Sequence, residues 1–264
     1  LVYLEEGAAQ VDAALGLSHA YSELDQPDAA REGLEHVRSA QPDSREVRTA
    51  LRRIYERGEK WVELARLLVE DAELAEAVEE KVALLTRAGN LFIEAGDAFA
   101  AVEPLRKAHQ LDDSATDVTV GLVDAYILAG WFDDATTLLD AALGGTRGRR
   151  SPEVCLYHHR RAQVADALGD RATQLEALQE AHLCNKKNGE VAAALADLAE
   201  ELQEWDLAQK TLRTITLIDS DCPISRAQAF LRQGRIARLQ GDNKSAKMWA
   251  RRAKREDPDD CAVD

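Results

Sequence analysis

Four cysteines, six histidines and several adjacent carboxylates are the residues with which this chain could do chemistry. Cys155, Cys184, Cys222 and Cys261 stand 29, 38 and 39 residues apart, without the close pairs that zinc sites and dithiol redox centres use. They are expected to be reduced thiols packed as small apolar groups. His158 and His159 are neighbours and the other four histidines are scattered, with no two histidines spaced by four as in a metalloprotease-like helical motif, so no metal is expected. Glu79-Glu80 and Glu200-Glu201 could in principle share acid–base work, yet they fall where solvated helix faces are expected. No glycine-rich phosphate loop, nucleophile elbow or Cys/His catalytic set is visible. The expectation is a non-enzyme that needs no cofactor.

Charge is the more informative chemistry. The net charge of −15 argues against nucleic acid, which demands a dominant basic surface. Basic residues instead gather locally. From Arg226 to Arg255 the chain carries ten cations against the single acid Asp242, a local charge of +9, while residues 1–225 carry −19. Such an end could capture an acidic segment, or dock onto an acidic repeat that follows it in a longer parent. Arg147, Arg149 and Arg150 form a smaller basic patch, expected in a loop.

The elements that must position these groups are helical. Hydrophobic residues make up 45% of the 264 residues but aromatics only 5%, and Ala and Leu dominate the apolar set, which favours helix over sheet. No apolar run approaches the roughly 20 residues that span a bilayer. A repeat is visible: Gly89, Phe92, Gly96, Ala101, Leu105, Ala108, then about 34 residues later Tyr126, Gly130, Ala135, Leu139, Ala142. Ala162, Ala165, Gly169, Leu178, Ala181 and then Gly234, Ala237, Gly241, Ala246, Ala250, Ala253, Pro258 continue it. Gly96-Asp97, Gly169-Asp170 and Gly241-Asp242 mark turns of odd units; Trp61, Trp131 and Trp205 mark those of even units. A pair of units, near 72 residues long, therefore reads as duplicated. The tryptophans could line a binding ridge, but packing between helix pairs is the expected role.

Small and bulky apolar residues at this spacing resemble the tetratricopeptide repeat family, whose pattern is Trp-x2-Leu-Gly-x2-Tyr, Ala-x3-Phe and Pro. Leu17, Tyr21, Ala30, Leu34 and Pro42 match in the first unit; Leu51, Tyr55 and Leu68 match in the second, with Leu64 in place of the small Ala. The first-helix Trp is missing throughout. Seven units are expected, at 11–44, 45–81, 82–115, 116–154, 155–188, 189–226 and 227–260, with 1–10 ending a preceding helix and 261–264 a tail or further helix start. Ala30, Ala101, Ala135, Ala208 and Ala246 are expected to let paired helices approach, beside the bulk of Leu17, Tyr21, Phe92 and Tyr126. The resemblance implies an all-α, right-handed superhelical solenoid of antiparallel helix pairs, with first helices on the concave side.

The resemblance also implies a non-catalytic scaffold or adaptor that binds a peptide or partner protein on its concave face, as a fragment of a larger multi-repeat protein. The alternative is the sensor or regulatory arm of a signalling enzyme or transcription regulator. First-helix positions expected to face the groove are Arg53, Asn90, Asp124, His159, Gln163, Asp197, Arg235 and Arg238. Arg232 joins Arg235 and Arg238 in a stripe spaced by three, suited to an acidic partner at the C-terminal unit. No Lys–Asn pair of the two-carboxylate-clamp kind occurs on a first helix. A reducing, cytoplasmic setting is the default for such cysteine usage.

Overall fold

A computed structural model describes residues 7–23, 27–146, 148–219 and 222–257. Residues 1–6 of the expected preceding helix, Arg147, Pro258, Cys261 and the 261–264 tail lie outside these residues. Fourteen helices and no strand occur among the described residues, so the fold is all-α. They fall into two compact units, 1–130 and 131–264. The first holds α1 (Ala8–Glu23), α2 (Pro27–Ala40), α3 (Arg45–Arg57), α4 (Trp61–Leu74), α5 (Val78–Glu94), α6 (Ala98–Leu111) and α7 (Thr116–Ala129). The second holds α8 (Phe132–Gly145), α9 (Pro152–Ala167), α10 (Arg171–Cys184), α11 (Gly189–Glu201), α12 (Trp205–Ile215), α13 (Arg226–Leu239) and α14 (Asn243–Glu256). Within each unit every helix packs on its neighbours in sequence, and α1 with α3 and α5 with α7 also touch. α1 begins at Ala8 rather than 11, where the Gly7 carbonyl accepts from the Gln10 and Val11 N–H groups.

The turns inside helix pairs share one backbone device. Gly96, Gly169 and Gly241 adopt positive φ of 79°, 72° and 81°, and the following N–H reaches back five residues: Asp97 to Phe92 O, Asp170 to Ala165 O, Asp242 to Ala237 O, each at 2.8 Å. Each Asp then caps the next helix, its carboxylate accepting from the N–H of Ala100, Thr173 or Ser245 at 3.0–3.1 Å. That is the physical content of the Gly-Asp pairs. Two of the even turns make the same bend with Glu59 at φ 51° and Gln203 at φ 61°, residues that pay for a left-handed backbone, and the third uses Gly130 at φ 76°. Trp61 and Trp205 follow as the first helical residues, and Trp205 packs against an apolar core. Trp131 sits one place earlier, directly after Gly130, and is exposed; Phe132 takes the position its counterparts occupy. The three tryptophans therefore share a turn but not a register.

Packing follows the small–large pattern with three exceptions. Ala30, Ala101, Ala135 and Ala208 are fully buried, and Phe92 and Tyr126 are buried beside their helix partners, but Ala246 and Tyr21 are only half-buried and Leu17 is 42% exposed. On α1 the inward stripe is Gln10, Val11, Ala14 and Ser18, which leaves Leu17 at its outer edge on the Gln10 side. A close approach occurs at Gly89, where a Cβ would overlap the Leu105 side chain, so α5 and α6 meet with no room for a side chain there. Cys155 packs with Ala181 and Val191 beside Cys184, and burial pushes its thiol up to about 11; Cys222 packs with the Ala/Leu/Ile core of α11–α13.

A buried charge network absent from the sequence reading fastens α3 to α4. The Arg48 guanidinium, 3% exposed, donates to Asp71, to the Pro42 carbonyl at 2.9 Å, to the Leu67 carbonyl at 3.2 Å and to Glu70 at 3.2 Å. Arg52 lies 2.8 Å from the other Asp71 oxygen, and Arg38 from α2 reaches Glu70 at 2.9 Å. Tyr55 O–H donates to Glu35 at 2.8 Å, and burial together with that bond raises its pKa.

Candidate functional site

Counting from the left-handed residue of each turn puts the duplicated pairs in register. Arg53, Asn90, Asp124, Gln163, Asp197 and Arg235 all stand six residues before it, on the first helix of their pair. Arg53, Asn90, Gln163, Asp197 and Arg235 are exposed and Asp124 is half-buried. The residues expected at the groove are thus one repeated position, as 3.6-residue periodicity requires when the turns share geometry.

Two expected contact residues are placed otherwise. His159, ten residues before its turn, is buried within α9 and presents no free face to a partner. Arg232 is half-buried and engaged: Nε donates to Glu200 at 2.6 Å and a terminal nitrogen lies 2.7 Å from Asp197, both on α11. Arg87 occupies the equivalent place on α5 and pairs with Glu56 on α3, the equivalent of Glu200. Arg232 is therefore a staple between successive first helices, repeated from the first unit. The expected stripe shortens to Arg235 and Arg238, both exposed.

In the first unit, α5 and α7 border an open groove of about 830 Å³. Val82, Leu91, Ala115 and Val118 supply apolar lining, Thr86 and Asn90 supply polar groups, and Glu79, Glu94, Asp112 and Asp117 add carboxylates. Asn90 leans over α7, since a Cβ on Gly121 would lie 3.3 Å from its Oδ1. Asp112 is committed locally: its carboxylate accepts from the Ser114 hydroxyl and N–H, which lowers its pKa. Of these lining residues only Asn90 was expected at a binding face, and Glu79 read as a solvated acid, because an apolar groove floor carries the same signature as a core stripe.

Histidine environments differ between the duplicated pairs. Thr119 Oγ1 and His109 Nδ1 are 3.3 Å apart, whereas the equivalent residues in the second unit are His182 and Ala192, which has no hydroxyl. His182 Nδ1 and His158 Nδ1 are buried without a hydrogen-bond partner. Burial depresses both imidazole pKa values; Lys186 and Lys210 add to this at His182, and Glu180 opposes it at His158. No cluster of three or more metal-ligating side chains occurs among the described residues, and none of the described helices is long and apolar enough to cross a membrane.

No family model and no curated protein matches the sequence. Solved structures do. A tetratricopeptide repeat protein from Parabacteroides merdae aligns over 94% of this chain and 93% of its own, at 14% identity and a TM-score of 0.51. MamA protein aligns over 70% and 98%, at 16% identity and 0.52. BtubC from P. vanneervenii aligns over 78% and 90%, at 20% identity and 0.52. At these identities the likeness is one of fold, and it agrees with the helix pairs and turn geometry described above: this chain has the tetratricopeptide repeat fold.

Proposed function

We propose that the chain is a non-catalytic protein-interaction scaffold that holds a peptide or partner segment on its first-helix faces, with the α5–α7 groove as a principal seat. The observation that carries this reading is the groove itself. It is open, its apolar lining is flanked by polar and charged groups, and it borders two adjacent first helices. Such a surface offers burial for side chains and hydrogen-bond partners for a peptide backbone, in the manner of groove recognition by helical modules. Asn90, with one amide donor pair and one carbonyl acceptor, is suited to a backbone contact. Asp124 lies on the same pair of helices, and Arg53, Gln163, Arg235 and Arg238 are the corresponding exposed first-helix contacts in the rest of the array.

Peptide phage display on the purified chain, followed by binding measurements on selected peptides, tests this. Val82→Glu combined with Asn90→Ala should abolish binding of the selected peptides while leaving the far-UV circular dichroism unchanged. Selected peptides that bind the variant as well as the parent would refute the groove as the seat.

A further inference from the structure

Several second helices carry a ridge that meets the next first helix. Its positions lie six, ten and thirteen residues after the left-handed turn residue. On α4 these are Ala65, Val69 and Ala72, and Ala72 packs with Leu85 of α5. On α6 they are Val102, Arg106 and His109, and His109 meets Thr119 of α7. On α10 they begin with Leu175, which packs with Leu195 and Leu198 of α11. On α14 the same three positions are Lys247, Arg251 and Lys254, all exposed.

Single cations stand on other ridges, Arg106 on α6 and Arg213 between Gln209 and Thr216 on α12, but α14 carries three and no acid, and covering three unpaired cations with an apolar helix face would cost far more than the contact returns. We propose that the outward face of α14 is a docking site for an acidic polypeptide segment, separate from the α5–α7 groove. Lys247, Arg251 and Lys254 make no ion pair among the described residues, whereas Arg31, Arg38, Arg48, Arg52 and Arg87 of the first unit are each paired. The spacing of four and three residues aligns the cations along one face over about 10 Å of helix. Lys244 extends the line by one turn, and exposed Met248 beside it adds apolar contact.

The opposite side of α14 is already anchored. Trp249 stacks on Phe230 of α13 with ring centroids 5.7 Å apart, and the Arg252 guanidinium lies 4.8 Å from the Trp249 ring centroid. The cationic face is thus held in place by contacts it does not share. Its extent selects the partner class. A nucleic acid or an anionic bilayer reaches well past such a stripe and would meet the net −6 of residues 131–225 in the same unit, while a short carboxylate-rich segment need not.

The test uses the full chain and a fluorescent Glu-rich peptide of about fifteen residues, long enough to span the stripe. Polarisation titrations should show binding that weakens as salt rises from about 50 to about 500 mM. Lys247→Glu with Arg251→Glu should cost at least about tenfold in affinity, as expected for reversing two charge-assisted contacts. Lys186→Glu with Lys210→Glu, which changes net charge equally but elsewhere, should leave affinity within about twofold, since screening confines the effect. The Gln versions of the stripe variant guard against a folding defect, with circular dichroism as the check. Equal loss in both charge-reversed variants, or none in the stripe variant, overturns the site. Single-stranded DNA or phosphatidylserine vesicles binding more tightly than the peptide overturns the partner class. The α5–α7 variants leave this binding untouched, so failure here is distinct from failure of the groove.

Discussion

Asp71→Ala should be among the most damaging single substitutions in the first unit, and the cause lies in what it leaves behind. Asp71 is 6% exposed and sits against the Arg48 guanidinium, itself 3% exposed. Removing the carboxylate leaves a buried cation whose remaining partners are two carbonyls and Glu70, whose side chain is 47% exposed. Breaking a buried pair from one side costs about 3–5 kcal/mol, and the surviving Glu70 contact at 3.2 Å argues for the lower end, about 3 kcal/mol. Arg48→Met should cost less, because Asp71 keeps Arg52 at 2.8 Å. The double variant Arg48→Met/Asp71→Leu should be less harmful than Asp71→Ala alone, since no buried charge is orphaned. Urea unfolding followed by circular dichroism gives the midpoints. At an m-value of about 2–3 kcal/mol/M, a loss of about 3 kcal/mol moves the midpoint by about 1–1.5 M. Because repeat arrays lose stability locally, amide exchange should quicken in α3 and α4 and stay unchanged in α11 and α12. An Asp71→Ala cost below about 1 kcal/mol, or a double variant as harmful as Asp71→Ala, would refute the reasoning.

Gly89→Ala should destabilise by about 1–3 kcal/mol or more, because its methyl would overlap Leu105, whereas Gly16→Ala meets open space and should stabilise by up to about 1 kcal/mol; equal melting points would sink the packing account. Gln203→Gly should raise stability and Gly169→Ala should lower it by about 1–2 kcal/mol, read by thermal melts, since both turns need a left-handed residue. His158 and His182 have depressed pKa values in the fold, so protons bind the unfolded chain more readily. Their contribution is complete above the unfolded value of about 6.5 and is lost as pH falls below it toward the folded values; melts of His158→Gln/His182→Gln across this range should show a flatter dependence than the parent. Ala192→Ser supplies a hydroxyl where Thr119 stands beside His109 and should stabilise by about 0.5–1.5 kcal/mol, an expectation overturned by any loss. Ala135→Leu, at a fully buried helix contact, should cost about 1–3 kcal/mol and more than Ala142→Ser at a half-buried one, as calorimetry would show.

Helix pairs were legible in the sequence because their signals are local. Gly-Asp encodes a left-handed turn and an N-cap within two residues, and Ala at a fixed distance after it encodes close approach, so element type and repeat phase follow from neighbours along the chain. The repeated first-helix position occupied by Arg53, Asn90, Asp124, Gln163 and Arg235 was legible for the same reason. What escaped depends on residues distant in sequence. Arg48 and Asp71 are 23 residues apart, and each alone reads as a solvated charge. Arg232 reads as a free member of an arginine stripe until α11 brings Asp197 and Glu200 to it. His159 and Leu17 exchange expected environments, one buried and the other exposed, because helix rotation is set by packing rather than by residue type. Charge patterning established that the C-terminal pair is basic. Only the tertiary structure decided which cations are spent and which face outward, since ion pairing is settled by distances between helices that periodicity along one helix does not encode.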